Sequence, residues 1–288
     1  MEAIRLDGKK LASEIELQLL KRVNVLKQKY NYTPVLAAII VGEDPASKTY
    51  VKMKSKACAR VGLNSVTVNL SKNTTTEKLV NKIRELNADS KICGILLQHP
   101  TPLHIDEQLC FNEIALNKDV DGVSATSFGN MTNGYPAFKC ATPLGIITLL
   151  KHYNIIIEGK HAVIVGRSAI LGKPTAMLLL QENATVTICH RKTINLEQYV
   201  RQADILVAAV GKANLIKSAW LKPNVILIDC GYNQNNVGDI ELDNHALSIC
   251  SAYTPVPGGV GPMTISSLIS QAVEAAEIYS AFLPEKRN

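Results

Sequence analysis

The strongest constraint on this chain is an alternation. Short, fully apolar runs take turns with amphipathic stretches along most of its 288 residues. Val35–Val41 is apolar throughout and stops at Gly42, as a buried strand does. Ser65–Leu70 is β-branched and alternating, and Ile92–Leu97 is a third strand-like run. Residues 9–29, 47–61 and 75–88 lie around them with helical periodicity. The second half repeats the theme, with strands expected at 161–165, 185–189, 205–210 and 225–229. Helices are expected from near Gly172 and Leu196, at 144–153, and at about 263–282. Such alternation predicts an α/β class built on mostly parallel sheets. Aromatic residues are only 5%, so Ile, Leu, Val and Ala must fill the core, as in sheets buried on both faces.

Composition excludes several classes. Hydrophobic residues are 47% and charged residues 19%, which suits a large core and not disorder. No apolar run is long enough to span a membrane. The first ten residues mix charges and lack the apolar stretch of a signal peptide, so a cytoplasmic protein is expected. Lys and Arg number 31 against 25 acids, a net charge of +6, but the basic residues are scattered. No nucleic-acid partner is therefore expected. The seven cysteines form no C-x-x-C pair and sit mostly in or beside apolar runs. They read as reduced thiols, with no metal site among them.

The segment Lys160–Pro174 reads as strand, glycine turn and helix. Gly166 allows a sharp turn and Gly172 a close approach, while the helix start offers N–H groups to a phosphate. The spacing is not G-x-G-x-x-G, and an ordinary strand–helix turn explains this fragment equally well. The next strand tips the balance. An NAD site usually has an acid there, whereas Thr185–Cys189 runs into His190-Arg191-Lys192. A guanidinium grips a 2′-phosphate that a carboxylate would repel, so NADP is favoured.

Four further features stand out. In Ser47–Lys56, Ser47 is the expected helix cap, and Tyr50 and Lys54 share one face. Lys52 and Lys56 lie on another; all three lysines could be solvated, and a functional reading needs Lys54 turned inward. Gln98 closes a fully apolar strand, where parallel sheets place ligand contacts. Lys118-Asp-Val-Asp121-Gly122 opens a turn-rich stretch over 117–143, either a domain boundary or a functional loop. Thr254–Thr264 packs glycines and prolines ahead of a helix, which permits close backbone approach to a flat ligand.

These motifs, in this order, resemble the bifunctional methylenetetrahydrofolate dehydrogenase/methenyltetrahydrofolate cyclohydrolase family over nearly the whole chain. They are Tyr50…Lys54 after Gly42–Ser47, Gly94–Gln98, Lys118–Gly122, Thr142-Pro143, Gly166–Ser168, Cys189-His190 and Thr254–Thr264. The resemblance implies two α/β domains with a folate/NADP cleft between them. Residues 1–121 would be the catalytic domain, with the last helix packed back on it, and 122–288 a Rossmann-like NADP-binding domain. It implies oxidation of 5,10-methylene- to 5,10-methenyl-tetrahydrofolate, hydrolysis to 10-formyl-tetrahydrofolate, and a homodimer. Lys54 would be the general acid/base, Tyr50 would stack on the folate, Gln98 would hold Lys54, and Asp121 would bind the pterin edge. Pro257, Gly258, Gly261 and Pro262 would line the folate slot. Gly166, Arg167, Ser168, Gly172, His190, Arg191 and Gly211 would hold NADP. No metal is implied. The chain departs from the family's usual pattern at His99, at Val123–Ser127 and at Arg191. A monofunctional dehydrogenase and a non-catalytic nucleotide-binding protein are the rival readings.

Overall fold

The protein is described here from a computed structural model, over residues 3–284. In chain order the elements are β1 (Ile4–Arg5), α1 (Gly8–Tyr30), β2 (Val35–Val41), α2 (Pro45–Val61), β3 (Asn64–Leu70), α3 (Thr76–Ala88) and β4 (Ile92–Leu97). Then come α4 (Glu107–Glu113), α5 (Ala125–Thr132), α6 (Ala141–His152), β5 (His161–Val165), α7 (Gly172–Gln181), β6 (Thr185–Cys189) and α8 (Leu196–Val200). The last are β7 (Ile205–Ala208), β8 (Ile226–Asp229), α9 (Asn244–Ile249), β9 (Ala252–Tyr253) and α10 (Val260–Ser280). They form two compact units. One comprises Ser13–Ala141 and the residues from Ile265 on; the other comprises the residues up to Ala12 and Thr142–Thr264.

The first unit carries a parallel three-stranded sheet in the order β3-β2-β4. β2 is central and almost wholly buried, which accounts for its unbroken apolar run. β3 lies at the edge and is mostly half-buried or exposed, so its residues alternate. Leu19, Val23 and Leu26 of α1 meet Leu36, Val61, Leu96 and the α10 residues Leu268, Ala272 and Val273 in one core. The α2 cap is Asp44, not Ser47: the Asp44 carboxylate accepts the Ser47 N–H at 2.7 Å. Pro45 starts the helix two residues early because its missing N–H costs nothing there.

The second unit carries a parallel six-stranded sheet in the order β1-β9-β8-β7-β5-β6. From β5 the chain moves outward to β6, then returns to β7 on the other side of β5. Ligands of doubly wound sheets sit at such a reversal, outside the carboxyl ends of the strands.

The two units meet in sequence at 12/13, 141/142 and 264/265. Gln271 of α10 explains the second of these. Its amide donates to the Val120 and Lys139 carbonyls, both at 2.8 Å, and accepts the Lys139 N–H at 2.7 Å. That pins the 120–139 segment to the first unit. The first residues go instead with the second unit, because Ile4 pairs with Ala252 in the sheet. The Lys9 N–H also bonds the Gly258 carbonyl at 2.9 Å, and a Cβ on Gly8 would lie 1.9 Å from the Gly259 oxygen.

Candidate active site

In the three-stranded unit, α2 turns Lys54 inward to 8% exposure, while Lys52 and Lys56 stay exposed. The Lys54 Nζ donates to Gln98 Oε1 at 3.1 Å. Gln98 directly follows β4, and its N–H continues the ladder to the Ile39 carbonyl. The Gln98 Nε2 donates to the His99 carbonyl at 2.7 Å, which leaves Oε1 facing the lysine. Burial pulls the Lys54 ammonium below the ordinary lysine range, and the nearby Asp121 carboxylate opposes part of that. Burial raises Asp121 to about 6, against the pull of Lys54. One buried base and one reluctant acid thus share a site. Tyr50, one turn before Lys54, is 38% exposed on the same helix face. At the rim, His99 Nδ1 lies 2.8 Å from Glu107 Oε2, and Glu107 Oε1 accepts the Thr101 N–H.

Each residue of Lys118–Gly122 has its own task. The buried Lys118 ammonium donates to the carbonyls of Leu86, Asn87 and Asp89 and closes the end of α3. Asp119, fully buried, accepts the N–H groups of Val123 and Ser124 and the Ser127 hydroxyl, the last at 2.6 Å. Val120 packs on β4 so closely that a Cβ on Gly94 would lie 2.6 Å from it. That contact sets Asp121 near Lys54. Gly122 holds φ +62 against the Lys139 backbone, where a Cβ would meet Lys139 at 2.3 Å. The turn formers after it contain a helix, α5, capped by Ser124.

In the six-stranded unit, the Gly166 turn follows β5 with φ +140. A Cβ there would lie 2.3 Å from the Ala209 carbonyl, and one on Gly172 would lie 2.3 Å from the Gly166 carbonyl. The turn, the start of α7 and the loop after β7 therefore meet at the sheet's reversal. The first turn of α7 does not present free N–H groups. Gly172 bonds the Ser168 hydroxyl at 3.3 Å, Lys173 bonds the Ser168 carbonyl, and Pro174 has no N–H. Arg167, Ser168 and Arg191 are exposed beside this turn. Arg191 sits in a tight turn, where the His190 N–H bonds Thr193 Oγ1 and the Thr193 N–H bonds the His190 carbonyl. Val165 pairs with Cys189 across β5 and β6, so Arg167 and Arg191 leave adjacent strand ends. Gly211, at φ +63, is exposed with open space around it. Gly258 takes φ +110. Pro257 and Gly261 are exposed, and Pro262 is half-buried, all in this unit. Among the described residues no His, Cys, Asp and Glu cluster is arranged to hold a metal ion.

Residues 6–121 match the catalytic domain of the tetrahydrofolate dehydrogenase/cyclohydrolase family, and residues 140–280 match its NAD(P)-binding domain. The chain belongs to that family. A relative from Cellvibrio japonicus, named bifunctional protein FolD, is 57% identical over 96% of this chain and 99% of its own length. The solved bifunctional FolD enzyme of Campylobacter jejuni superposes with a TM-score of 0.93 at 42% identity, covering 96% of this chain and 99% of that one. The Trypanosoma brucei dehydrogenase-cyclohydrolase, solved with NADP cofactor and an inhibitor, gives a TM-score of 0.92 at 32% identity, covering 96% and 98%. The catalytic-domain match covers most of the three-stranded unit, and the NAD(P)-binding match covers most of the six-stranded unit together with α10.

Sequence reasoning named Lys54, Gln98 and Asp121, and the structure brings these three together. It overlooked Asp119 and Gln271, which shape the loop that carries Asp121, and Asp229 and Asp239, buried carboxylates near Gly211. Asp119 stood in a motif already singled out. A lone amide in an amphipathic helix, as at Gln271, carries no sequence signal.

Proposed function

We propose that this chain oxidises 5,10-methylene-tetrahydrofolate with NADP and hydrolyses the resulting 5,10-methenyl-tetrahydrofolate to 10-formyl-tetrahydrofolate. The observation that carries the reading is Lys54, buried and held by Gln98 beside Asp121. A lone dehydrogenase has no use for a proton carrier there.

When bound, NADP would supply the acceptor for a hydride from the methylene carbon, chemistry that asks no acid of the protein. The protein contributes alignment. Tyr50 stacks on the folate and Asp121 holds the pterin edge. The glycine turn at Gly166 and Gly172 and the exposed Gly211 suit close approach of a dinucleotide backbone. Arg167 and Arg191 at adjacent strand ends, with His190 between strand and arginine and no acid closing β6, suit a 2′-phosphate.

Hydrolysis adds water to the methenyl carbon; both protons of that water leave as its oxygen becomes the formyl carbonyl, one passing to the ring nitrogen as the carbon–nitrogen bond breaks and the other to solvent. An ordinary lysine stays protonated at neutral pH. Lys54, with its proton loosened by burial, can take and return one. Gln98 Oε1 fixes where that nitrogen sits.

A homodimer in the cytoplasm completes the proposal. Ile188 on the edge strand β6, Ile194 and Tyr199 are exposed on the six-stranded unit, a partial apolar face for a second copy. All seven cysteines are free and no described helix is long and apolar enough to cross a membrane, which suits a reducing compartment. Sedimentation should give about twice 31.3 kDa; a monomer at micromolar concentration refutes the dimer. The chemistry is tested by absorbance. Methylene-tetrahydrofolate and NADP should produce the methenyl band, which then decays. A stable band leaves only a dehydrogenase, and no band leaves neither activity.

A further inference from the structure

Two buried carboxylates lie behind the loops at the carboxyl edge of the six-stranded sheet. Asp239 is fully buried and Asp229 is 6% exposed. Among the described residues neither pairs with a cation; backbone N–H groups and one side-chain amide satisfy them. Asp239 Oδ2 accepts the N–H groups of Val210 at 2.7 Å and Gly211 at 2.9 Å. Its Oδ1 accepts Lys212 N–H at 2.8 Å and Asn233 Nδ2 at 3.0 Å. Three successive N–H groups of the loop after β7 thus converge on one side chain. Asp229 in turn holds Asp239: its Oδ1 accepts the Asp239 and Gly231 N–H groups, and its Oδ2 accepts that of Ile240. The fit leaves no slack. A Cβ on Gly231 would lie 2.3 Å from Asp239 Oδ1, and one on Gly238 would lie 2.0 Å from Asp229 Oδ2.

The loop so held is the one whose Ala209 carbonyl closes on Gly166. Its N–H groups would otherwise point to solvent or to a bound anion. Turning three of them onto a buried carboxylate keeps Gly211 at φ +63 with open space on its outer side. A carboxylate tolerates that burial because charge-assisted bonds satisfy both oxygens.

We propose that Asp239 is a positioning residue for the dinucleotide, presetting the 210–212 loop against which the cofactor lies. The assignment rests on the proposed NADP-linked function.

The test titrates NADP onto the purified protein by calorimetry and assays hydrolysis of methenyl-tetrahydrofolate in parallel. Asp239→Asn keeps the size but turns amide hydrogens toward N–H donors. It should weaken NADP at least tenfold while hydrolysis stays within twofold. Asn233→Ala removes one of the four bonds and should weaken NADP about two- to fivefold. Wild-type NADP affinity in Asp239→Asn overturns the proposal. So does a loss of hydrolysis in step with NADP affinity, which would make Asp239 structural only. Should Asp239→Asn fail to fold, Asn233→Ala decides, and unchanged affinity there overturns the proposal. A wild-type protein that binds NADP but oxidises no methylene-tetrahydrofolate contradicts the functional reading and leaves this assignment standing. One that binds no NADP contradicts both.

Discussion

Lys54 Nζ lies 3.1 Å from Gln98 Oε1, a contact that joins the middle of a helix to the end of a buried strand. It fixes a lysine whose proton is loosened by burial at one point in the site. Lys54→Met keeps the stem but cannot move a proton. Cyclohydrolase should fall by roughly 10²–10⁴-fold, the usual loss for a general acid/base. Dehydrogenase should fall much less. Full cyclohydrolase activity in the variant rejects the assigned role, and equal collapse of both activities with lost folate binding makes Lys54 a binding residue.

Arg191 stands exposed in the turn that ends β6, where an NAD enzyme places an acid. Arg191→Glu should raise the KM for NADP by about tenfold or more, the scale of a lost charge-assisted bond. The KM for NAD should barely move. Steady-state kinetics with both cofactors checks this, and an equal rise for the two shows that Arg191 does not read the 2′-phosphate.

Asp121 titrates near 6 in the folded protein, above its ordinary value of 3.8. The folded state therefore binds this proton more tightly than the unfolded state does. Stability from this group is complete below about pH 3.8 and is lost as pH rises to about 6. Asp121→Asn removes that dependence. The urea midpoint of the variant, relative to wild type, should climb between pH 4 and pH 7; a fall over that range contradicts the assignment.

Lys118 places a buried ammonium on three carbonyls at the end of α3. Lys118→Met leaves those carbonyls without their donor and should cost about 1.5–3 kcal/mol, the scale of hydrogen bonds to a charged group. Urea unfolding should show a lower midpoint with an unchanged slope, while the folded variant keeps near-normal turnover. Wild-type stability would show that water replaces the ammonium without loss.

The central strands were legible because fully buried strands must be apolar without interruption, as β2 and β4 are. β1 and β9, two residues each, are too short to leave a pattern. Spacing put Lys54 on the face of Tyr50 but could not say that this face turns inward, since Lys52 and Lys56 have the same chemistry. Its burial is a tertiary fact. α5 hid behind Gly129 and Asn130, which look like turn residues, and the Ser124 cap supports the helix there. The first turn of α7 misled in the other direction. A helix start implies free N–H groups, yet the Ser168 hydroxyl and carbonyl already occupy two of them.

Neither unit is continuous in sequence. Ile4 waits for Ala252 before its strand has a partner, and Leu19 waits for Leu268 before its core is closed. During synthesis the chain emerges from the ribosome N-terminus first. The three-stranded sheet can therefore form early, but its apolar face stays open until α10 has been made. Both units therefore depend on the same stretch, α10 and the loop before it, which acts as a stitch drawn through each of them.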